Sequence, residues 1–182
     1  MSTFLLVRWK LLFAVLFTAS LCCAAAARGQ DVTESALKAA FIHNFAKFTQ
    51  WPREVLPPAA PLLACVLGDS AFGDVLGSYV KGRPVDGHDI VVSPVAEARV
   101  RPCHLLYVSG ISAKRAAQVV ADLNGAPVLT VSDIDDFAQA GGMAQLYVEG
   151  GTIRFKVNID STRSSRLQFS SRLLALATLV KK

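Results

Sequence analysis

Short apolar runs alternate with helical stretches through the middle of the chain, and this alternation restricts the possible folds more than any other feature. Runs too short for helices are expected to form buried strands: residues 62–67, 88–92, 105–108 (continuing from Cys103) and 127–131. Between them, apolar residues recur at helical spacing in two stretches, one from Phe72 to Val80 and one from Ser112 to Leu123. Strands that alternate with helices form parallel sheets covered by helices. We therefore predict an α/β fold with a mostly parallel sheet flanked by helices.

The pattern changes near the C-terminus. Residues 143–148 and 152–157 have strand character, and the glycine-rich connection Glu149-Gly150-Gly151 indicates an antiparallel hairpin. We expect this hairpin at one edge of the sheet. Residues 133–140 are predicted to be a short helix or loop. After Ser170-Ser171, the apolar residues up to Val180 predict a closing helix.

A first helix is predicted to begin at Thr33-Glu34-Ser35 and to end at Trp51-Pro52, because a residue before proline avoids the helical conformation. Its apolar residues recur on one face: Leu37, Phe41, Phe45 and Phe48. We interpret this stripe as part of the core. The alternative is a contact surface in which Phe41, Phe45 and Phe48 act together with Trp51.

Residues 1–27 have the features of a secretory signal peptide. Arg8 and Lys10 precede an apolar run that closes on small residues at Ala24–Ala27. We expect cleavage after Ala27, which leaves residues 28–182 as a single domain in the periplasm; an uncleaved membrane anchor is the alternative. Loss of Arg8 and Lys10 lowers the formal net charge from +5 to +3. This charge is spread along the chain, whereas nucleic-acid binding needs clustered basic residues, so no nucleic-acid partner is predicted.

Two cysteines, Cys65 and Cys103, remain after cleavage. An even number of cysteines in an oxidising compartment predicts one disulfide. The alternative is a metal site that adds His88 and His104. Cys103 and His104 are neighbours in a predicted strand, and neighbouring side chains in a strand leave on opposite faces. This disfavours a shared ion, and we predict no metal and no cofactor.

Motifs that would indicate catalysis are incomplete. Gly68-Asp69-Ser70 is similar to the nucleophile block of one class of esterases, but no histidine has an aspartate three residues before it to complete the base. We interpret Asp69 or Ser70 as a helix cap, and we predict that the protein is not an enzyme. A hydrolase that uses Ser70 is the least favoured alternative.

The second strand of the hairpin has one polar face, formed by Arg154, Lys156 and Asn158. A solvated edge strand explains this face most simply. The same residues are candidates for contact with a partner protein or an anionic ligand.

Three blocks of sequence together resemble one protein family. They are residues 36–52 (ALKAAFIHNFAKFTQWP), residues 65–69 with 102–109 (CVLGD and PCHLLYVS), and a C-terminal set of GGM at 141–143, IRFKVN at 153–158 and LQFSSRLLALA at 167–177. The blocks lie in order over nearly all of the chain that follows residue 27. They are similar to those of the YfiR-like family of periplasmic proteins.

The resemblance implies regulation. In that family, one member restrains an inner-membrane diguanylate cyclase by acting on its periplasmic sensor region, and an outer-membrane lipoprotein can sequester the regulator. It implies a structural disulfide between Cys65 and Cys103. A second, later cysteine pair known in the family is missing here, and Gln145 and Thr152 occupy the corresponding hairpin region.

We therefore expect a periplasmic repressor of cyclic-di-GMP signalling and biofilm formation. Its expected partner is the periplasmic region of an inner-membrane diguanylate cyclase or sensor kinase. An outer-membrane lipoprotein is a further candidate partner, and a homodimer is another possibility. A periplasmic protein that binds a small ligand through Arg154, Lys156 and Asn158 is the alternative.

Overall fold

The computed structural model describes residues 34–123 and 125–181. The chain divides into two units, residues 1–37 and 38–182, and every strand found among the described residues belongs to the second unit. Only residues 34–37 of the first unit are described, and they are helical. The predicted signal peptide and the predicted start of the first helix at Thr33 lie outside the described residues.

The helices are α1 (residues 34–47), α2 (Ser70–Val80), α3 (Ala113–Asp122), α4 (Ile159–Ser164) and α5 (Ser171–Leu174), with a 3₁₀ turn at Glu97–Arg99. The strands are β1 (Thr49–Gln50), β2 (Leu62–Gly68), β3 (Ile90–Pro94), β4 (Leu105–Ser109), β5 (Leu129–Ser132), β6 (Ala144–Glu149), β7 (Thr152–Asn158), β8 (Gln168–Phe169) and β9 (Thr178–Val180).

Seven strands form one sheet in the order β3-β2-β4-β5-β6-β7-β9, and β1 pairs with β8 in a separate antiparallel ribbon. Strands β3, β2, β4, β5 and β6 are parallel, and β6 and β7 form the antiparallel hairpin. The α/β fold with a mostly parallel sheet is confirmed.

Helices cover both faces of the central strands. The larger core packs α1 and α2 on one face of the sheet, and a second core packs α3 on the other. This explains why β2 and β4 are almost continuously apolar: parallel strands in such folds are buried on both sides.

Side-chain caps begin the two longer central helices. The Asp69 carboxylate accepts a hydrogen bond from the Phe72 N–H at 3.1 Å, and the Ser112 hydroxyl accepts one from the Arg115 N–H at 3.3 Å. Both satisfy N–H groups that the helix itself leaves unpaired. The interpretation of Gly68-Asp69-Ser70 as a helix start is confirmed.

The prediction of a closing helix is wrong. Helix α5 is only four residues long, and the chain then enters β9, which pairs in parallel with residues Lys156–Asn158 of β7. Of the apolar residues in the predicted helix, Leu173 is buried whereas Leu176 is 77% exposed, so no continuous apolar face holds a helix there. Since β9 covers part of β7, the hairpin lies one strand inside the edge of the sheet.

Three further boundaries differ from the prediction. Helix α1 ends at residue 47, because Thr49–Gln50 pairs with β8. Strand β3 begins at Ile90 because His88 belongs to a tight turn closed by reciprocal backbone hydrogen bonds with Val85. Cys103 and His104 precede β4, so the prediction that both lie in a strand is wrong.

Over residues 34–123 and 125–181, no helix combines the length and the apolar character that crossing a bilayer requires.

Candidate functional site

A disulfide joins Cys65 in β2 to Cys103 before β4, with the two Cα atoms 5.9 Å apart. Both cysteines are buried in the core beneath α3. His104 is used elsewhere: its Nδ1 accepts from the Leu63 N–H at 2.9 Å, which leaves Nε2–H to donate to the Val55 carbonyl at 3.1 Å. Within the described part of the chain, no group of three or more His, Cys, Asp or Glu side chains is arranged to hold a metal ion.

The phenylalanines of the first block pack inward. Phe45 is 1% exposed, and its ring meets the Phe155 ring edge-on at 5.2 Å between centroids. Phe41 contacts the same ring at 6.1 Å, and Phe48 packs partly buried against the same core. The burial of Phe45 supports the core interpretation for this residue, and Phe41 and Phe48 pack against the same core while partly buried.

Trp51 anchors the loop that follows α1. Its indole N–H donates to the His104 carbonyl at 3.1 Å. The ring is half-buried and packs against the larger core. Trp51 therefore has a structural role, and it also borders a surface cavity that is described below.

A polar surface covers the outer part of β6, β7 and β9. We call it the β7 face: Tyr147, Glu149, Arg154, Lys156 and Thr178. Tyr147 lies directly opposite Arg154 in the hairpin, and Thr178 lies beside Lys156. The Arg154 guanidinium pairs with Glu149 at 2.7 Å, and the Lys156 ammonium lies 5.3 Å from the centre of the Tyr147 ring. Two cations and an aromatic ring are thus grouped on one side of the sheet.

Asn158 does not share this exposure. It is fully buried, its amide donates to the Ala138 carbonyl at 2.8 Å, and its oxygen accepts from the Ser161 N–H at 3.0 Å. It caps α4 and holds the loop before β6. The predicted surface of Arg154, Lys156 and Asn158 is therefore reduced to its first two members.

Gln145 has a matching internal role. It is 1% exposed, and its side-chain oxygen accepts from the Ala138 N–H at 3.3 Å. At this position the hairpin thus carries a buried hydrogen bond to the preceding loop.

Sequence reasoning missed a polar cluster at the carboxyl ends of β4 and β5. The Lys38 ammonium of α1 donates to the Asp133 carboxylate at 2.9 Å, and the side chains of Tyr107 and Ser109 hydrogen-bond to the same carboxylate. The cluster ties α1 to the loop after β5. Two features of the sequence were compatible with such a cluster. Asp133 directly follows a strand, and Lys38 lies off the apolar stripe of its helix.

The protein environment shifts the pKa values of Tyr107 and Asp133 in this cluster. Burial raises the pKa of the Tyr107 hydroxyl, and the Asp133 charge raises it further. Burial on its own would raise the pKa of Asp133. Hydrogen bonds from Lys38 and Ser109, together with the Lys38 charge, outweigh this effect and hold the pKa of Asp133 below its ordinary value.

Replacing Lys38 with methionine should destabilise the protein by about 1–2 kcal/mol at neutral pH, between the values for exposed and buried ion pairs. Because the pKa of Asp133 is lowered on folding, its stabilisation is present above the ordinary value of 3.8 and is lost as pH falls through the folded-state value. Urea denaturation at pH 7 and pH 3 tests this: the difference between variant and wild type should shrink in acid. An equal difference at both pH values would contradict the role of the carboxylate.

The crevice that commonly binds ligands in α/β folds is filled here. Such crevices form where helices leave neighbouring parallel strands toward opposite faces, as α2 and α3 do after β2 and β4. A Cβ atom added to Gly68, which has φ +97°, would lie 2.0 Å from the Ser109 carbonyl oxygen. The two loops therefore pack directly on each other, and glycine is required at this point.

The sequence matches the model of a known protein family. The sequence model of the YfiR/HmsC-like family matches residues 35–178, from the first turns of α1 to the start of β9. The match includes the disulfide, both cores, the β6–β7 hairpin and the β7 face. The family is regulatory rather than catalytic. Because the match covers most of its length, this chain belongs to the YfiR/HmsC-like family of periplasmic regulators in cyclic-di-GMP signalling.

Proposed function

We propose that this protein binds the periplasmic region of an inner-membrane diguanylate cyclase and restrains its activity. The family match over residues 35–178 is the observation that carries this proposal. A binding protein restrains an enzyme only if it binds the inactive conformation more tightly than the active one. The protein therefore needs a surface that recognises one arrangement of the partner.

The β7 face is the best candidate for that surface. Arg154 is exposed and Lys156 is partly exposed, and both lie on a regular strand rather than on a loop. Arginine and tyrosine are enriched at protein interfaces, where they contribute much of the binding energy. The two cations favour an acidic segment of the partner, and the Glu149 carboxylate helps to orient Arg154 for that contact.

Replacing Arg154 and Lys156 together with alanine should weaken partner binding by about tenfold or more, as for central interface residues. Membranes from the native host would be incubated with the tagged, oxidised protein, and the captured proteins identified and quantified. The double variant Lys114→Ala/Arg115→Ala is the matched control. It also removes two exposed cations and one surface ion pair, that of Arg115 with Glu97.

Recovery of a membrane cyclase by the wild type and the control, but not by the Arg154/Lys156 variant, would support the proposal. Equal recovery by all three proteins would reject the β7 face as the docking surface. If well-folded wild type captures no membrane signalling protein, the proposed partner class is wrong.

A further inference from the structure

A surface cavity of about 630 Å³ lies between the loop after α1 and the turn before β3. It is lined on one side by residues from Thr49 to Ala59 and on the other by the turn from Val85 to His88. Its size is within the range of small-molecule sites, about 300–1,000 Å³. The cavity is separate from the β7 face, which is formed by other strands.

The cavity has a mixed polar and apolar lining. Leu56, Leu62 and Val85 lie behind it with exposures of 8%, 0% and 3%, so the accessible apolar surface comes from Pro58 and Trp51. The indole of Trp51 borders the same space and is held in place by its hydrogen bond to the His104 carbonyl. Such a surface suits a flat apolar or aromatic body, as in most ligand pockets.

The rim of the cavity carries the positive charge of Arg53. Among the described residues, no carboxylate lies within ion-pair distance of the Arg53 guanidinium. The neighbouring Glu54 is engaged with Arg166 at 3.2 Å. A guanidinium offers a planar set of N–H donors that matches a carboxylate with two parallel hydrogen bonds.

The opposite wall of the cavity determines the orientation in which a ligand would bind. Asp86 lines that wall, and His88 is fixed by a 2.7 Å hydrogen bond between its Nδ1 and the Ala60 carbonyl. Because a carbonyl only accepts, Nδ1 carries the proton. The Asp86 charge disfavours an anion on this wall and so directs a ligand carboxylate toward Arg53.

Strained backbone borders both sides of the cavity. Ala59 has φ 63° and Asp86 has φ 49°, a region that residues with a side chain adopt at a cost. Strain of this kind is often concentrated at ligand sites, where the surrounding structure holds it.

We propose that this cavity binds a small organic carboxylate with an apolar body. The carboxylate pairs with Arg53, and the apolar body lies against Trp51 and Pro58. The site is independent of the proposed cyclase partner, so either proposal can fail alone.

Calorimetric titration with phenylacetate, indole-3-acetate and hexanoate tests this proposal. Phenylacetamide, which has nearly the same shape as phenylacetate without the charge, is the ligand control. Arg53→Gln removes the guanidinium, and Arg99→Gln is the matched protein control, since Arg99 is also exposed and lies outside the cavity. In the wild type, the indole N–H signal of Trp51 in a ¹H–¹⁵N spectrum reports whether binding occurs at this cavity.

At least one carboxylate should bind the wild type and shift the Trp51 signal. Arg53→Gln should weaken that binding by about tenfold, as expected for a charge-assisted pair, while Arg99→Gln leaves it unchanged. Phenylacetamide should bind no better to the wild type than to Arg53→Gln. Failure of all three carboxylates to bind at millimolar concentration, or equal binding by Arg53→Gln, would overturn the proposal.

Discussion

Reduction of the Cys65–Cys103 disulfide should lower the free energy of unfolding by about 4 kcal/mol, because the bond closes a loop with a sequence separation of 38 residues. In the chain-entropy account, the bond restricts the unfolded chain more than the folded one. Both cysteines are buried in the core beneath α3.

Urea denaturation with and without a thiol reductant measures this loss. The double variant Cys65→Ala/Cys103→Ala should be destabilised by a similar amount and should not respond to the reductant. An unchanged midpoint for the wild type after complete reduction would contradict the stabilising role of the bond.

Replacing Phe45 with alanine should destabilise the protein by about 3–5 kcal/mol, the usual range for a buried phenylalanine. Phe45 is 1% exposed, and its ring holds α1 against Phe155 in β7. The truncation leaves a cavity between the helix and the sheet that close-packed neighbours cannot fill.

Leu176→Ala is the matched control for this change. Its side chain is 77% exposed, so its removal should alter stability by less than about 0.5 kcal/mol. Urea denaturation of the two variants compares them directly. If Phe45→Ala lowers the free energy of unfolding by no more than a surface substitution does, α1 does not depend on this ring for its stability.

The central α/β region could be predicted from sequence because its local signals agree with its packing. β2 and β4 are short apolar runs, and Asp69 and Ser112 begin the helices between strands with residues that favour caps. Propensity, spacing and burial indicate the same structure in these segments.

The C-terminal region could not be predicted in the same way. Residues from Leu173 to Val180 have helical apolar spacing, yet the last three form β9 because an unpaired stretch of β7 is available to them. That pairing is a tertiary effect, which local spacing does not contain.

The polar contacts of the candidate sites were also beyond sequence reasoning. Lys38 and Asp133 are separated by 95 residues, and only the fold brings them together. Asn158 lies on the same face of β7 as Arg154 and Lys156, but the loop before β6 covers it and leaves the other two accessible to solvent. The spacing of polar residues identifies a face of a strand, whereas neighbouring loops decide which part of that face is accessible.

The most direct test of the central claim is the cyclic-di-GMP concentration in host cells that lack this gene. We expect the concentration to rise after deletion. It should return to the starting level with the wild-type gene or the Lys114→Ala/Arg115→Ala control, but not with Arg154→Ala/Lys156→Ala. An unchanged concentration after deletion would contradict the claim that this protein restrains a diguanylate cyclase.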